Sequence, residues 1–389
     1  MTEPASSYET SVLIVGGGPA GLATAIALAQ AGIDSTVVEA QAPGTDKACG
    51  EGLMPAAVDA LHDLGISLDA HIGLPFSGIR FADSRHCVDA VFGCGPGRGV
   101  RRPDLHHCLA ERAARLGVQL CWNTRVRLLD EPSGSPTASG RALLNEQEIR
   151  FRWLVGADGQ ASGVRRWAGL DAWRSQRTRF GFRRHFKLQP WSERVEVHWA
   201  RQGQIYVTPV SADSICVVGM THQPHTDWHE FLAGFPELNA RLAGAALHSQ
   251  PRGAVSAMRR LKRVANDHVA LVGDASGSAD SITGEGLAMT FQQALALAES
   301  IASGSLAGYE QRHRSIGRRP HWMGGLMLTL DRWPVLVPPV LGLLQQWPGI
   351  FSSLVNFHTR RSPWAARPVV DLATAPMLNI GETQLQLEL

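Results

Sequence analysis

The sequence predicts an α/β protein in which a parallel sheet flanked by helices is joined to an antiparallel β-sheet lobe and ends in helices. Three observations predict it. A β-branched apolar run at residues 11–15 enters a glycine-rich turn and then an Ala/Leu-rich helix. Two later apolar runs meet Asp158-Gly159 and Gly273-Asp274, each followed by a helix start. Between them, residues 179–220 alternate apolar and polar side chains, and turn signals separate the runs.

The first unit carries the strongest signal. "SVLIV" reads as a buried parallel strand. Gly16, Gly18 and Gly21 fit G-x-G-x-x-G around Pro19 and Ala20, and a helix runs on to Gln30 before Gly32 stops it. "STVVEA" is a second strand that ends at Glu39-Ala40. Glu39 lies 18 residues past the last glycine (39 − 21). Strand, glycine turn, helix, strand and acid together form a dinucleotide-binding context. The helix N-terminus suits a pyrophosphate, and the acid suits a ribose.

Composition limits the rest. The chain has 389 residues, 44% hydrophobic and 19% charged, with a net charge of +2. That is a globular balance with room for two lobes, and no general attraction to nucleic acid is implied. The six cysteines show no zinc spacing, so they read as free thiols in a reducing compartment and no metal is expected. The polar, acidic start "MTEPASSYET" lacks the regions of a signal peptide, and the expected address is the cytoplasm.

"DKACGEGLMP" (46–55) places two glycines around a glutamate just after a cysteine. Glycine is used where backbone takes φ > 0 or comes very close to something. A second Gly-Glu-Gly lies at 284–286. In this order and spacing, the G-x-G-x-x-G, the internal Asp-Gly and the late Gly-Asp resemble the flavoprotein superfamily of p-hydroxybenzoate hydroxylase-type monooxygenases and geranylgeranyl reductases. The resemblance spans residues 11–300. It implies a Rossmann-like FAD-binding domain with an antiparallel substrate lobe, FAD as cofactor and NAD(P)H as a transient reductant. No second glycine fingerprint for that reductant is present.

Roles follow from the resemblance position by position. Glu39 would hold the adenosine ribose, and Asp274 the ribityl chain or pyrophosphate. Arg102 would open a helix beside the FAD, and Val126 would pass the adenine. Asp158 and Gly159 would lie near the FAD. Gly284, Glu285 and Gly286, with the helix from about Leu287, would meet the isoalloxazine ring, and "CGEG" at 49–52 would cross it. Cys49 reads either as a small buried hydrophobe or as a thiol that shapes the ring environment or contacts substrate. Glu51 reads either as a proton relay or as an acceptor for backbone amides in a tight loop. Tyr206 joins these two as a candidate catalytic group. Arg183, His185 and Thr208 are candidates to face substrate, against the alternative of an exposed sheet face.

Domains are expected at 1–70, 98–170 and 262–310 for FAD, at 71–97 and 171–261 for substrate, and at 311–389 for the helical segment. Residues 130–140, "DEPSGSPTASG", read as a surface hairpin loop. The basic run at 257–263 reads as a solvated face or as a guide for a dinucleotide phosphate. Residues 324–357 are apolar but broken by prolines, which reads as two or three short helices that bury against the substrate lobe, or else wall a lipophilic substrate or touch a membrane.

Two reactions fit. The first expectation is a monooxygenase that uses NAD(P)H and O2 to hydroxylate or epoxidise an apolar aromatic or polyene substrate. The alternative is a reductase that saturates double bonds of a prenyl or lipid substrate. The early "CGEG" and late "TGEG" match the reductases, while Tyr206-Val-Thr-Pro209 keeps only the tyrosine and proline of their sheet motif. A halogenase is disfavoured because no Gly-Trp-x-Trp-x-Ile-Pro segment occurs.

Overall fold

Short connections after the first strand set the architecture. In the computed structural model, the strand Tyr8–Val15 leads through the glycine turn into the helix Pro19–Gln30 and back into the strand Ser35–Val38. The structure describes residues 8–68, 71–130 and 139–361. The predicted loop at 131–138 and the end of the helical segment, 362–389, lie outside the described residues.

Five strands are parallel neighbours: Gln119–Cys121, Ser35–Val38, Tyr8–Val15, Gln147–Gly156 and Val269–Leu271. The strands Val126–Asp130 and Gly140–Leu144 extend this sheet antiparallel along the first half of Gln147–Gly156. Helices pack on it, and Leu13, Ile14, Leu22, Ile26, Leu154 and Phe291 are fully buried there. Val12 to Ile14 show no exposed surface, as expected for a strand covered on both faces.

The second sheet has eight strands, and the predicted meander forms its centre. Trp173–Lys187, Ser214–Thr221, Gly203–Ser211 and Arg194–Ala200 pair antiparallel in that order. One pairing differs from the expected antiparallel pattern. Gly78–Ala82 runs parallel to Arg194–Ala200, because it arrives from a long connection rather than a hairpin. A small sheet of Gly52–Leu53, Gly97–Gly99 and Leu74–Phe76 follows the "CGEG" loop, and two of its strands contact Gly203–Ser211 of the second sheet.

The C-terminal segment departs from the expected run of short helices. Its first part belongs to a 24-residue helix, Tyr309–Arg332, which tolerates Pro320 in its interior. Two shorter helices follow, Val337–Gln346 and Pro348–Thr359, and each starts with proline in its first turn. Proline suits that position because its missing N–H has no helical acceptor there. Nine of the twelve exposed large apolar side chains among the described residues lie between Trp322 and Phe357. No single described helix is long and apolar enough to cross a membrane. The pair Tyr309–Arg332 and Pro334–Gln346 passes that test only together, bent by 100°.

Candidate functional site

The glycine turn is shaped by close backbone contact. Gly16 has φ +113°, and a Cβ there would lie 2.4 Å from Ala157 O. A Cβ on Gly21 would lie 1.8 Å from Gly16 O, so strand and helix can approach only with glycine at both places. The helix that follows has Gly18 as its N-cap and Pro19 at its start, and no side chain caps it. Its free amides are therefore open to an anion. Glu39 is held ready beside them: Gly17 N and Gln41 N each donate to its carboxylate at 2.9 Å. Ala40 is exposed next to it, and Thr124 N donates to Glu39 O at 2.9 Å, which brings the Val126 segment alongside.

Two other elements converge on the turn. Arg102 opens the helix Arg102–Arg115, and its guanidinium lies 4.0 Å from where a Gly18 Cβ would sit. From the same helix, His106 Nε2 donates to Gly17 O at 2.9 Å, and burial lowers its pKa. Gly273, at φ +62°, is packed so closely on Ala20 that a Cβ would come within 2.8 Å of the alanine methyl. Asp274 follows. Surrounding protein raises its pKa, with Arg102 the largest opposing influence, yet the residue keeps exposed surface.

Asp158 organises the turn after the strand Gln147–Gly156. Its Oδ2 accepts from Gly163 N (2.6 Å) and Val164 N (3.1 Å), which caps the helix Gly163–Trp167, while Oδ1 is buried without a partner. Gly159 turns the chain at φ +78°. Arg165 ties the two acidic motifs together by donating to Ala275 O (3.0 Å), Gln160 O (2.8 Å) and Asp171 (2.7 Å).

The turn 283–287 leads into another open helix start. The helix Gly286–Ala302 also starts with no side-chain cap; Gly284 and Gly286 are exposed, and Leu287 is half-buried. Glu285, between the glycines, is buried with Oε1 unpartnered, and desolvation raises its pKa to about 8. His358 Nε2 lies 3.9 Å from that oxygen and bonds to Thr283 O at 3.1 Å.

The residues fit an FAD. Two helix starts without side-chain caps, the Glu39 carboxylate held by backbone amides and an exposed Asp274 near Arg102 supply suitable groups, and the backbone around Gly16, Gly21 and Gly273 leaves no room for side chains.

The "CGEG" loop is pinned by an ionic cluster that the sequence does not announce. Glu51 takes φ +59°, and its carboxylate is fully buried. Oε1 accepts from Arg102 N (3.1 Å) and Arg183 Nη1 (3.3 Å), and Oε2 pairs with His185 Nε2 (2.6 Å). Arg183 forks onto Asp46 at 2.7 and 2.6 Å, and His185 Nδ1 meets Ser249 Oγ at 2.6 Å. Arg183 and His185, expected at the substrate or on an exposed face, are 0% exposed and hold the loop instead; Thr208, 2% exposed, packs under Gly52 and Gly99. Cys49 sits on this loop, mostly buried with some exposed surface. Burial pushes its thiol up while Arg102 pulls it down, with burial prevailing.

Tyr206 belongs to a second buried cluster. Around it Arg179 pairs with Asp280 (3.1 Å) and Asp331 (3.4 Å) and bonds Gln204, which in turn bonds Asp331. Burial pushes the Tyr206 phenol up, so it is a neutral hydroxyl, and it has no hydrogen-bond partner among the described residues.

Sequence reasoning missed Asp46, His106, Arg165, Asp280 and Asp331. The basic helix start "GVRRW" signals Arg165; the others are recognised only through partners far along the chain.

The FAD binding domain family matches residues 9–313, and the chain belongs to that family. It is an FAD-dependent oxidoreductase fold of the class that the sequence motifs resemble. A dialkyldecalin synthase of Streptomyces rugosporus is 25% identical over 368 residues, covering 87% of this chain and 77% of the relative. A menaquinone reductase of Mycolicibacterium smegmatis is 27% identical over 361 residues, covering 85% of this chain and 87% of the relative. The solved structure of the flavin-dependent brominase Bmp2 superposes with a TM-score of 0.74 at 18% identity, over 90% of this chain and 93% of its own, which shows the shared fold.

Proposed function

We propose that this protein saturates a carbon–carbon double bond in a long apolar, prenyl-like substrate, with NAD(P)H as the source of electrons. FAD, held by Glu39, Arg102, Asp274 and the two open helix starts, supplies the two-electron redox chemistry when bound. The chain's own part is a proton. Adding hydrogen across a double bond takes two electrons and two protons, and one proton must reach carbon from a neutral acid near the reacting atoms.

Cys49 carries this reading. It is a mostly buried thiol with some exposed surface, kept protonated by that burial, on a loop that Glu51, Arg183 and His185 hold in one place. Its proton would go to the substrate carbon, and the resulting thiolate, stabilised by Arg102, would be reprotonated from solvent. The similarity to a menaquinone reductase supports a reductive reaction. The exposed apolar helices between Trp322 and Phe357 would meet a substrate carried in lipid.

Monooxygenation of an apolar substrate is the second reading. It is favoured by Tyr206-Val-Thr-Pro209, which lacks the tryptophan and phenylalanine of the reductase motif.

The test is product mass. Purified holoprotein is reduced with NADPH or NADH without oxygen and given a polyprenyl acceptor. Gain of two hydrogens supports saturation. A product that forms only in air and gains one oxygen atom refutes it in favour of monooxygenation. Cys49→Ala should still allow flavin reduction but lose most product formation; undiminished saturation by that variant removes the thiol from the mechanism.

A further inference from the structure

A second opening lies away from the glycine turn. It is an open pocket of about 460 Å³, between the strand Arg252–Leu261, the turn at Ser276-Gly277 and the helix Tyr309–Arg332. That size suits a small ligand. Six cations line it: Arg259, Arg260, Lys262, Arg263, Arg314 and Arg318. The one carboxylate is Glu310, already bonded to Arg314 (3.0 Å) and 3.8 Å from Arg263. Arg260, Lys262 and Arg318 have no acidic partner within salt-bridge distance among the described residues. Cations gathered around one concavity repel each other unless an anion joins them.

The floor adds polar groups and an apolar shelf. His321 Nδ1 bonds Gly317 O at 2.6 Å, and its Nε2 is buried without a partner. Met289 and Trp322 supply apolar surface. The pocket also touches the cofactor cleft through two links. Arg259 Nη1 donates to Gln160 O (2.6 Å), in the loop next to Asp158. His313 Nε2 bonds Ser276 Oγ (2.8 Å), which donates to Gly273 O (2.8 Å).

We propose that this pocket binds the phosphoryl group of a small molecule, with Arg260, Lys262 and Arg318 as its charge partners and Trp322 as a shelf for the adjoining moiety. Two sources share that chemistry. One is the 2′-phosphate end of NADPH, and the other is the diphosphate of a prenyl substrate. The site stands independently of the reductase reading, because it rests on the pocket and its charges.

The test is calorimetric titration of FAD-loaded protein with inorganic pyrophosphate. Wild type should bind saturably and more weakly as salt rises. Arg260→Glu and Arg318→Glu should weaken binding by about tenfold or more while keeping flavin content and melting temperature. If one of them fails to fold, Lys262→Glu reads the same effect from the rim. Absence of saturable binding, or equal binding by the reversed-charge variants, overturns the proposal.

Competition then separates the sources. Displacement of pyrophosphate by adenosine 2′,5′-bisphosphate, with loss of NADPH-over-NADH preference in the variants, assigns the pocket to the reductant. Displacement by geranylgeranyl diphosphate alone assigns it to substrate. None of the binding measurements needs turnover, so failure here leaves the reductase reading intact, and the reverse also holds.

Discussion

Glu51→Gln should loosen the whole "CGEG" loop. The substitution keeps size and shape but removes the charge that Arg183, His185 and the Arg102 amide share. The side chains of Glu51, Arg183 and His185 are all fully buried, so water cannot replace what is lost. Breaking a buried charge pair typically costs about 3–5 kcal/mol. Arg183 keeps its fork to Asp46, which lowers the expected loss to about 2–3 kcal/mol. With an unfolding entropy of about 2.1 cal/mol/K per residue, a chain of 389 residues would lose roughly 2–4 °C in melting temperature. The assay is thermal unfolding followed by flavin fluorescence, with retained FAD measured on the purified protein. Asp46→Asn, at a partly exposed carboxylate, is the milder control. If Glu51→Gln melts within about 1 °C of wild type and keeps its FAD, the cluster does not hold the loop and the reasoning fails.

Three further outcomes follow from the same coordinates. The Glu285 carboxyl is raised from 4.5 to about 8, so its neutral form is favoured in the fold; that contribution is complete below pH 4.5 and is lost as pH rises through 8. Glu285→Gln should therefore match wild type near pH 4 in urea titrations of the apoprotein and exceed it increasingly towards pH 9; parallel curves would refute this. The Asp46 carboxyl is lowered by its hydrogen bonds from Arg183, so it stabilises the fold above its ordinary value of 3.8 and ceases to do so as pH falls below it. Asp46→Asn should thus be less stable than wild type at neutral pH and equal to it in strong acid, measured by the same titration. Gly21→Ala places a Cβ 1.8 Å from Gly16 O, and the purified variant should show little flavin absorbance; full FAD occupancy would contradict the packing of the turn.

The cofactor unit was legible because its signals are local. Strand, glycine turn, helix and acid occupy residues 8–39, and Gly16 and Gly21 have steric reasons that follow from their neighbours. The meander was legible for the same reason, since alternation and turn residues mark each hairpin. Glu51 was noticed as one of two possibilities, but its partners could not be. His185 lies 134 residues away and Arg183 132, and nothing in either stretch names the other. The expectation of two or three short helices over 324–357 did not foresee that residues 324–332 finish the 24-residue helix Tyr309–Arg332, in which Pro320 lies mid-helix against its local preference. Packing of Pro320, Met323, Gly324 and Met327 into buried positions overrides that preference.

The fastening of residues 46–52 to the long strand bears on how such enzymes can be recombined. The loop leaves the nucleotide-binding unit early in the chain, yet its counter-ions are synthesised more than a hundred residues later. A chimera that imports a foreign substrate lobe at its sheet boundaries would strand Glu51 in a dry interior without its bases and leave Asp46 without its guanidinium partner. New substrate lobes can be grafted onto this scaffold only if the short loop travels with them, so the unit of exchange is discontinuous in sequence although it is contiguous in space.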